Sequence, residues 1–153
     1  MIDSKPLLLD TNVLLVLVRG GVHAESLESR FGVRSAAIRP LVSIVTHGEI
    51  RSLALRNGWG SARKATLDRA LSDLITVDIS HPRVIDAYVH LDHFSQSHPI
   101  GARNMGKNGL WIAACAMAAG ARLLTTDKDF QHIVGSQVHG DVIELSSIGP
   151  MSG

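Results

Sequence analysis

Short apolar runs alternate along this chain with longer stretches whose apolar residues recur every three or four positions. Residues 7–9, three leucines closed by Asp10, read as a buried strand. Asn12 is placed to cap a helix over 13–18, which Gly20-Gly21 ends. A second helix is expected around 24–31. Residues 41–45 are apolar and rich in β-branched types, so they predict a second strand, with Thr46 opening a helix that stops near Asn57-Gly58. Helical spacing returns over 61–74, and residues 75–79 are strand-like. Pro82 suits the first turn of a helix running to about Ser97. The stretch 98–107 carries Pro, two Gly and two cations and reads as a loop. Asn108 is then the expected cap of an alanine-rich helix ended by Gly120. Strands are expected at 122–125, running into Asp127, and at 142–145, with a loose tail over 146–153.

Strands separated by helices predict an α/β fold with a mainly parallel sheet covered on both faces. In such sheets chemistry gathers at the carboxyl ends of the strands. That rule singles out Asp10 and Asp127, which follow apolar strands, and Glu49, one turn into the helix after another.

Composition narrows the class. The 153 residues match one domain, here placed at 1–145, and 45% hydrophobic with 19% charged residues supports a real core. The longest apolar run, 110–119, is half a membrane span, and the first ten residues lack the pattern of a secretory signal, so a cytoplasmic protein without membrane contact is expected. One cysteine, Cys115, permits neither an internal disulfide nor a multi-cysteine zinc site. Net charge is only +1, yet eleven of the fifteen cations are Arg, the type suited to bidentate phosphate contacts.

Asp10, Glu49 and Asp127 are far apart in sequence but can converge at one sheet edge. Carboxylates brought together repel unless a cation lies between them, and hard oxygen ligands without cysteine suit Mg²⁺ or Mn²⁺. Such a site favours phosphodiester hydrolysis. Each acid also has a plainer explanation. Asp10 can cap the helix that follows it. Glu49 stands three residues after Thr46, the spacing of a capping box. Asp127 and Asp129 flank Lys128 in what can be a simple turn. Of the remaining candidates, His90 and His93 share a helix face near His98 but complete no metal set and read as solvated. Trp111, Ile112, Cys115 and Ala119 form a stripe read as core.

Three motifs together resemble the PIN domain, and within it the toxin ribonucleases of bacterial VapBC-type toxin–antitoxin pairs: LLLDTNVLL at 7–15, SIVTHGEIRSLA at 43–54 and NGLWIAACAMAAGARLLTTDKDF at 108–130. The resemblance implies a three-layer α/β/α sandwich and a Mg²⁺- or Mn²⁺-dependent endoribonuclease, with tRNA favoured as substrate. It also implies a homodimer restrained by a VapB-type antitoxin, whose helix lies in a groove near 13–18 and 27–31. Asp10, Glu49 and Asp127 match the metal-binding acids, with Asn12 and Thr125 as supporting residues. The departure is Gly109: the family pattern has an acid there, so a metal ligand is missing and impaired cleavage is expected. Asn108 or Asp129 are the available substitute oxygens. Arg103 and Lys107, in the loop before this helix, are candidate RNA contacts, with Arg51 a weaker one. The alternative is a non-catalytic module of the same fold that binds an antitoxin or RNA. A phosphotransfer domain built on a strand-end Asp is a third possibility, but it lacks the paired acid and the late lysine.

Overall fold

The computed structural model describes residues 5–103 and 105–145. Five parallel strands form one sheet: β1 (Leu7–Leu9), β2 (Leu41–Ser43), β3 (Ile75–Val77), β4 (Arg122–Thr125) and β5 (Gly140–Val142), in the order β3-β2-β1-β4-β5. Six helices connect them: α1 (Thr11–Arg19), α2 (Val22–Phe31), α3 (Ile44–Arg56), α4 (Ser61–Ser72), α5 (Pro82–Gln96) and α6 (Lys107–Ala119).

Alternation along the strands divides the core. Leu8, Leu41 and Leu123 face α5 and α6, whereas Leu7, Leu9, Val42 and Leu124 face α1 to α4. Both sheet faces are therefore apolar, as a parallel sheet requires, and the result is the expected three-layer α/β/α sandwich. From β1 the chain steps outward through β2 to β3, then returns to lay β4 on the other side of β1. Strand order thus reverses between β1 and β4, which opens a crevice at their carboxyl ends.

Several boundaries move, each for a local reason. Asp10, not Asn12, caps α1, and Asn12 sits exposed in the first turn. Strand β2 ends two residues early, because the Ser43 hydroxyl accepts from the Val45 amide and starts α3 there; Thr46 is then a buried residue inside the helix. Gly106, at φ 72°, caps α6 without a side chain, so Lys107 and Asn108 belong to the first turn. The last strand lies at Gly140–Val142, two residues before its expected start. Ala119 ends the α6 stripe exposed, whereas Ile112 and Cys115 are core and Trp111 is half-buried against Tyr88, with ring centroids 4.1 Å apart. The expected tail, 146–153, lies outside the described residues. Among those described, no helix is long and apolar enough to cross a membrane.

Candidate functional site

Asp10 leaves β1 at the crevice and is only 6% exposed. Its backbone amide bonds to the Leu124 carbonyl at 2.9 Å, which continues the β1–β4 ladder and fixes where the side chain starts. One carboxylate oxygen accepts from the Thr11 amide at 2.8 Å, and the other from the buried Thr125 hydroxyl at 2.6 Å. Burial pushes the Asp10 carboxyl above its ordinary pKa. The Thr125 and Thr11 hydrogen bonds oppose this, and the nearby charges of Glu49 and Asp127 reinforce it. Capping and burial in the crevice are thus the same placement of one side chain.

Glu49 is held from two directions. Its Oε1 accepts from the Thr11 hydroxyl at 2.7 Å, and its Oε2 from the Asn108 amide at 3.3 Å. Thr11 Oγ1 also meets Thr46 Oγ1 at 2.9 Å, so Thr46 supports the glutamate through Thr11 rather than by a capping box. Thr11 and Thr46 hold the candidate site together without having been singled out from the sequence; their only signal is a hydroxyl residue directly after a strand-end acid and another one turn before Glu49. Asp127, two residues beyond β4, accepts from the Asp129 amide at 2.9 Å while its own amide bonds to Thr125 Oγ1 at 3.0 Å. The Thr125 hydroxyl therefore ties Asp10 to the Asp127 backbone. A single 3₁₀ turn, Lys128–Phe130, follows.

Asp10, Asn12, Glu49 and Asp127 line one open cleft of about 610 Å³, together with Lys107, Asn108 and Gly109 of α6. Arg56 and Phe130 complete its rim and floor. All the acidic donors are oxygens, and each bonded carboxylate oxygen keeps a second lone pair. That donor chemistry fits a hard divalent cation. The carboxylates do not close around a point, however: among the described residues no group of three or more His, Cys, Asp or Glu side chains is drawn tightly enough to hold a metal. Gly109 faces the cleft where α6 begins. A Cβ there would meet the Phe130 ring at 3.4 Å, an ordinary contact, and its backbone is not left-handed, so neither sterics at Cβ nor backbone strain requires glycine.

The structure does not bring every candidate here. Arg51 pairs with Asp68 at 3.0 Å on an exposed face and does not line the cleft. Arg103 and Asp129 line a separate neighbouring hollow. Leu27 and Val13 are fully buried in the core and offer nothing to a partner, although Leu14, Leu17 and Val18 border an apolar hollow of about 380 Å³. His90 and His93 are exposed, and His90 bonds to Gln137 at 2.6 Å.

The PIN domain family model matches residues 7–135, which include every residue placed in the cleft. No curated protein matches the chain. Among solved structures it is similar to VapBC2 from Rickettsia felis bound to a promoter DNA fragment, at 21% identity and TM-score 0.67, covering 88% of this chain and 96% of that one. It is also similar to VapBC-1 from nontypeable Haemophilus influenzae, at 21% identity and TM-score 0.66, with 88% and 96% covered. DNA-bound VapBC from Salmonella typhimurium gives 17% identity and TM-score 0.63, with 90% and 97% covered. With the family match running from β1 through the turn that carries Asp127, this chain belongs to the PIN domain family.

Proposed function

We propose that this chain is a toxin endoribonuclease of the VapBC type, hydrolysing RNA phosphodiesters with tRNA as the favoured class, and that Gly109 impairs it. The observation that carries this is the meeting of Asp10, Glu49 and Asp127, delivered by three separate elements, around one cleft whose remaining wall has a glycine facing it. Solved structures of similar fold are VapBC complexes, which supports a VapB-type antitoxin as partner; a cytoplasmic homodimer is the working form this reading expects.

Asp10, Glu49 and Asp127 would hold Mg²⁺ or Mn²⁺. When bound, the cation supplies positive charge to the phosphate and makes water a better nucleophile at neutral pH. The protein's own part is positional. Thr125 and the Thr11 amide keep both Asp10 oxygens fixed, and the Thr11 hydroxyl with Asn108 orients Glu49. Lys107 and Arg56, on the cleft wall, are cations in reach of a phosphate entering it. The missing carboxylate at 109 leaves the site short of a ligand, and the loose spacing of the acids favours the second reading, a non-catalytic module binding antitoxin or RNA.

Cleavage of total tRNA with Mg²⁺ or Mn²⁺, with EDTA as control, separates the two. The chain as it stands is expected to cleave at least about tenfold more slowly than its Gly109→Asp variant, because losing a ligand costs no less than losing its hydrogen-bonded support. Adding Asp10→Asn to that variant should return it to background. A folded Gly109→Asp protein that leaves tRNA intact would move the chain to the binding module.

A further inference from the structure

Beside the carboxylate cleft lies a second, polar hollow of about 460 Å³, lined by His98, Arg103, Lys128, Asp129, Gln131 and His132. The rings of His98 and His132 meet edge to face, with centroids 5.7 Å apart, and Phe94 stands against both. The Ser95 hydroxyl, 1% exposed, holds His132 Nε2 at 2.8 Å and points to the Met105 sulfur at 3.7 Å, so this imidazole is anchored from inside the protein. The loop is anchored too, since the Arg103 amide bonds to the Ser95 carbonyl at 2.8 Å.

Two permanent cations and two imidazoles, with the Gln131 amide beside them, thus surround one hollow that has a single carboxylate, Asp129. Among the described residues neither Arg103 nor Lys128 forms an ion pair within 4.0 Å, although Asp129 lines the same hollow. Such a grouping is complementary to a compact anion with several acceptor oxygens. Its position identifies the anion. Lys128 directly follows Asp127, and Met105, which touches Ser95, lines the carboxylate cleft, so the 3₁₀ turn contributes residues to both cavities. A chain with a charge at every repeat that crosses the cleft passes over this turn into the hollow.

The geometry points to a phosphate subsite in which Arg103, Lys128 and His98 hold an RNA backbone phosphate next to the one in the carboxylate cleft, with His132, whose ring nitrogens are engaged by Ser95 and the Asp129 backbone, forming the wall behind them. This assignment rests on the chain acting on RNA. It makes the hollow a register device: with a neighbouring phosphate clamped, the bond delivered to the acids is fixed by spacing along the backbone rather than by a base contact.

The test uses the full chain in EDTA, where binding is read without cleavage, and a short fluorescein-labelled single-stranded RNA. Arg103→Gln with Lys128→Gln is expected to weaken binding about tenfold. The slope of log Kd against log salt should become shallower by about 0.7 for each phosphate that no longer meets a cation. His98→Gln should weaken binding less, and Arg83→Gln, which removes an exposed charge of α5 outside both cavities, should leave it within about twofold. Unchanged melting temperatures certify the folds. RNA bound equally by the double variant and the native chain would overturn the subsite while leaving the enzyme reading intact. Titration with inorganic phosphate, watching the His98 and His132 imidazole proton signals, handles the remaining case. Shifted signals in a chain that binds no RNA would uphold an anion site and sink the RNA enzyme. No shift and no RNA binding would sink both.

Discussion

Asp10 is the residue on which most of this structure turns, because a carboxyl 6% exposed must be ionised to hold a cation. Burial raises its pKa in the folded state above the unfolded value of 3.8. The folded protein therefore favours the neutral acid, and the stability this gives is present below that value and lost as pH rises through the folded pKa. At neutral pH the metal-free chain carries a penalty. Asp10→Asn is accordingly expected to raise the melting temperature of the metal-free protein at pH 7, and a lower melting temperature would contradict the burial argument. Gly109→Asp adds a fourth carboxylate in a position where its Cβ fits. Its expected signature is a melting temperature slightly below that of the native chain in EDTA, reversed by Mg²⁺ as binding to the folded state alone stabilises it. At this scale the sequence was informative about the acids, since each follows a strand or opens a helix. It was silent on Thr11 and Thr46, whose hydroxyls matter only because two helices bring positions 35 residues apart within 2.9 Å.

Among the elements, β5 shows how tightly the sheet edge is built. A Cβ at Gly140 would sit 2.5 Å from the Leu123 carbonyl oxygen, so β5 approaches β4 more closely than any other residue permits. Gly140→Ala is expected to destabilise the protein by about 1–3 kcal/mol, measured by urea denaturation. Because the Ile143 amide, directly after β5, bonds the Thr125 carbonyl at 2.7 Å, a shift of β5 also reaches the Asp10 support. The elements themselves were legible wherever apolar periodicity was strong, as in α5 and α6. Their starts were less so. Residues 43, 106 and 10 all cap helices that the sequence opens two or three residues later, because Ser43 and Asp10 end a strand and cap a helix at once, and Gly106 caps with backbone alone. The strand at 140–142 contains Gly and Asp and has almost no apolar signal; pairing with β4 makes it a strand.

Over the whole molecule, charge is nearly balanced, and pH acts through a few half-buried imidazoles. Burial lowers the His47 pKa, helped by Arg51, and lowers that of His132, helped by His98 and Arg103. A group with a depressed pKa binds fewer protons folded than unfolded, so stability falls as pH drops below about 6.5, the unfolded value. Melting curves between neutral and mildly acid pH should show this decline, with His47→Gln and His132→Gln each flattening part of it. The parallel architecture was legible from the strand–helix alternation alone. The strand order was not, because nothing local says that β4 returns to the far side of β1.

That return has a consequence during synthesis. Asp10 is made first of the cleft acids, and the hydroxyl that fixes it, Thr125, follows 115 residues later, with Asp127 two residues after that. A chain still being translated through α5 has its first strand paired on one side only, with the wall that completes the cleft still to come. The carboxylate cleft therefore forms all at once, after β4 and the turn behind it have left the ribosome, rather than piece by piece.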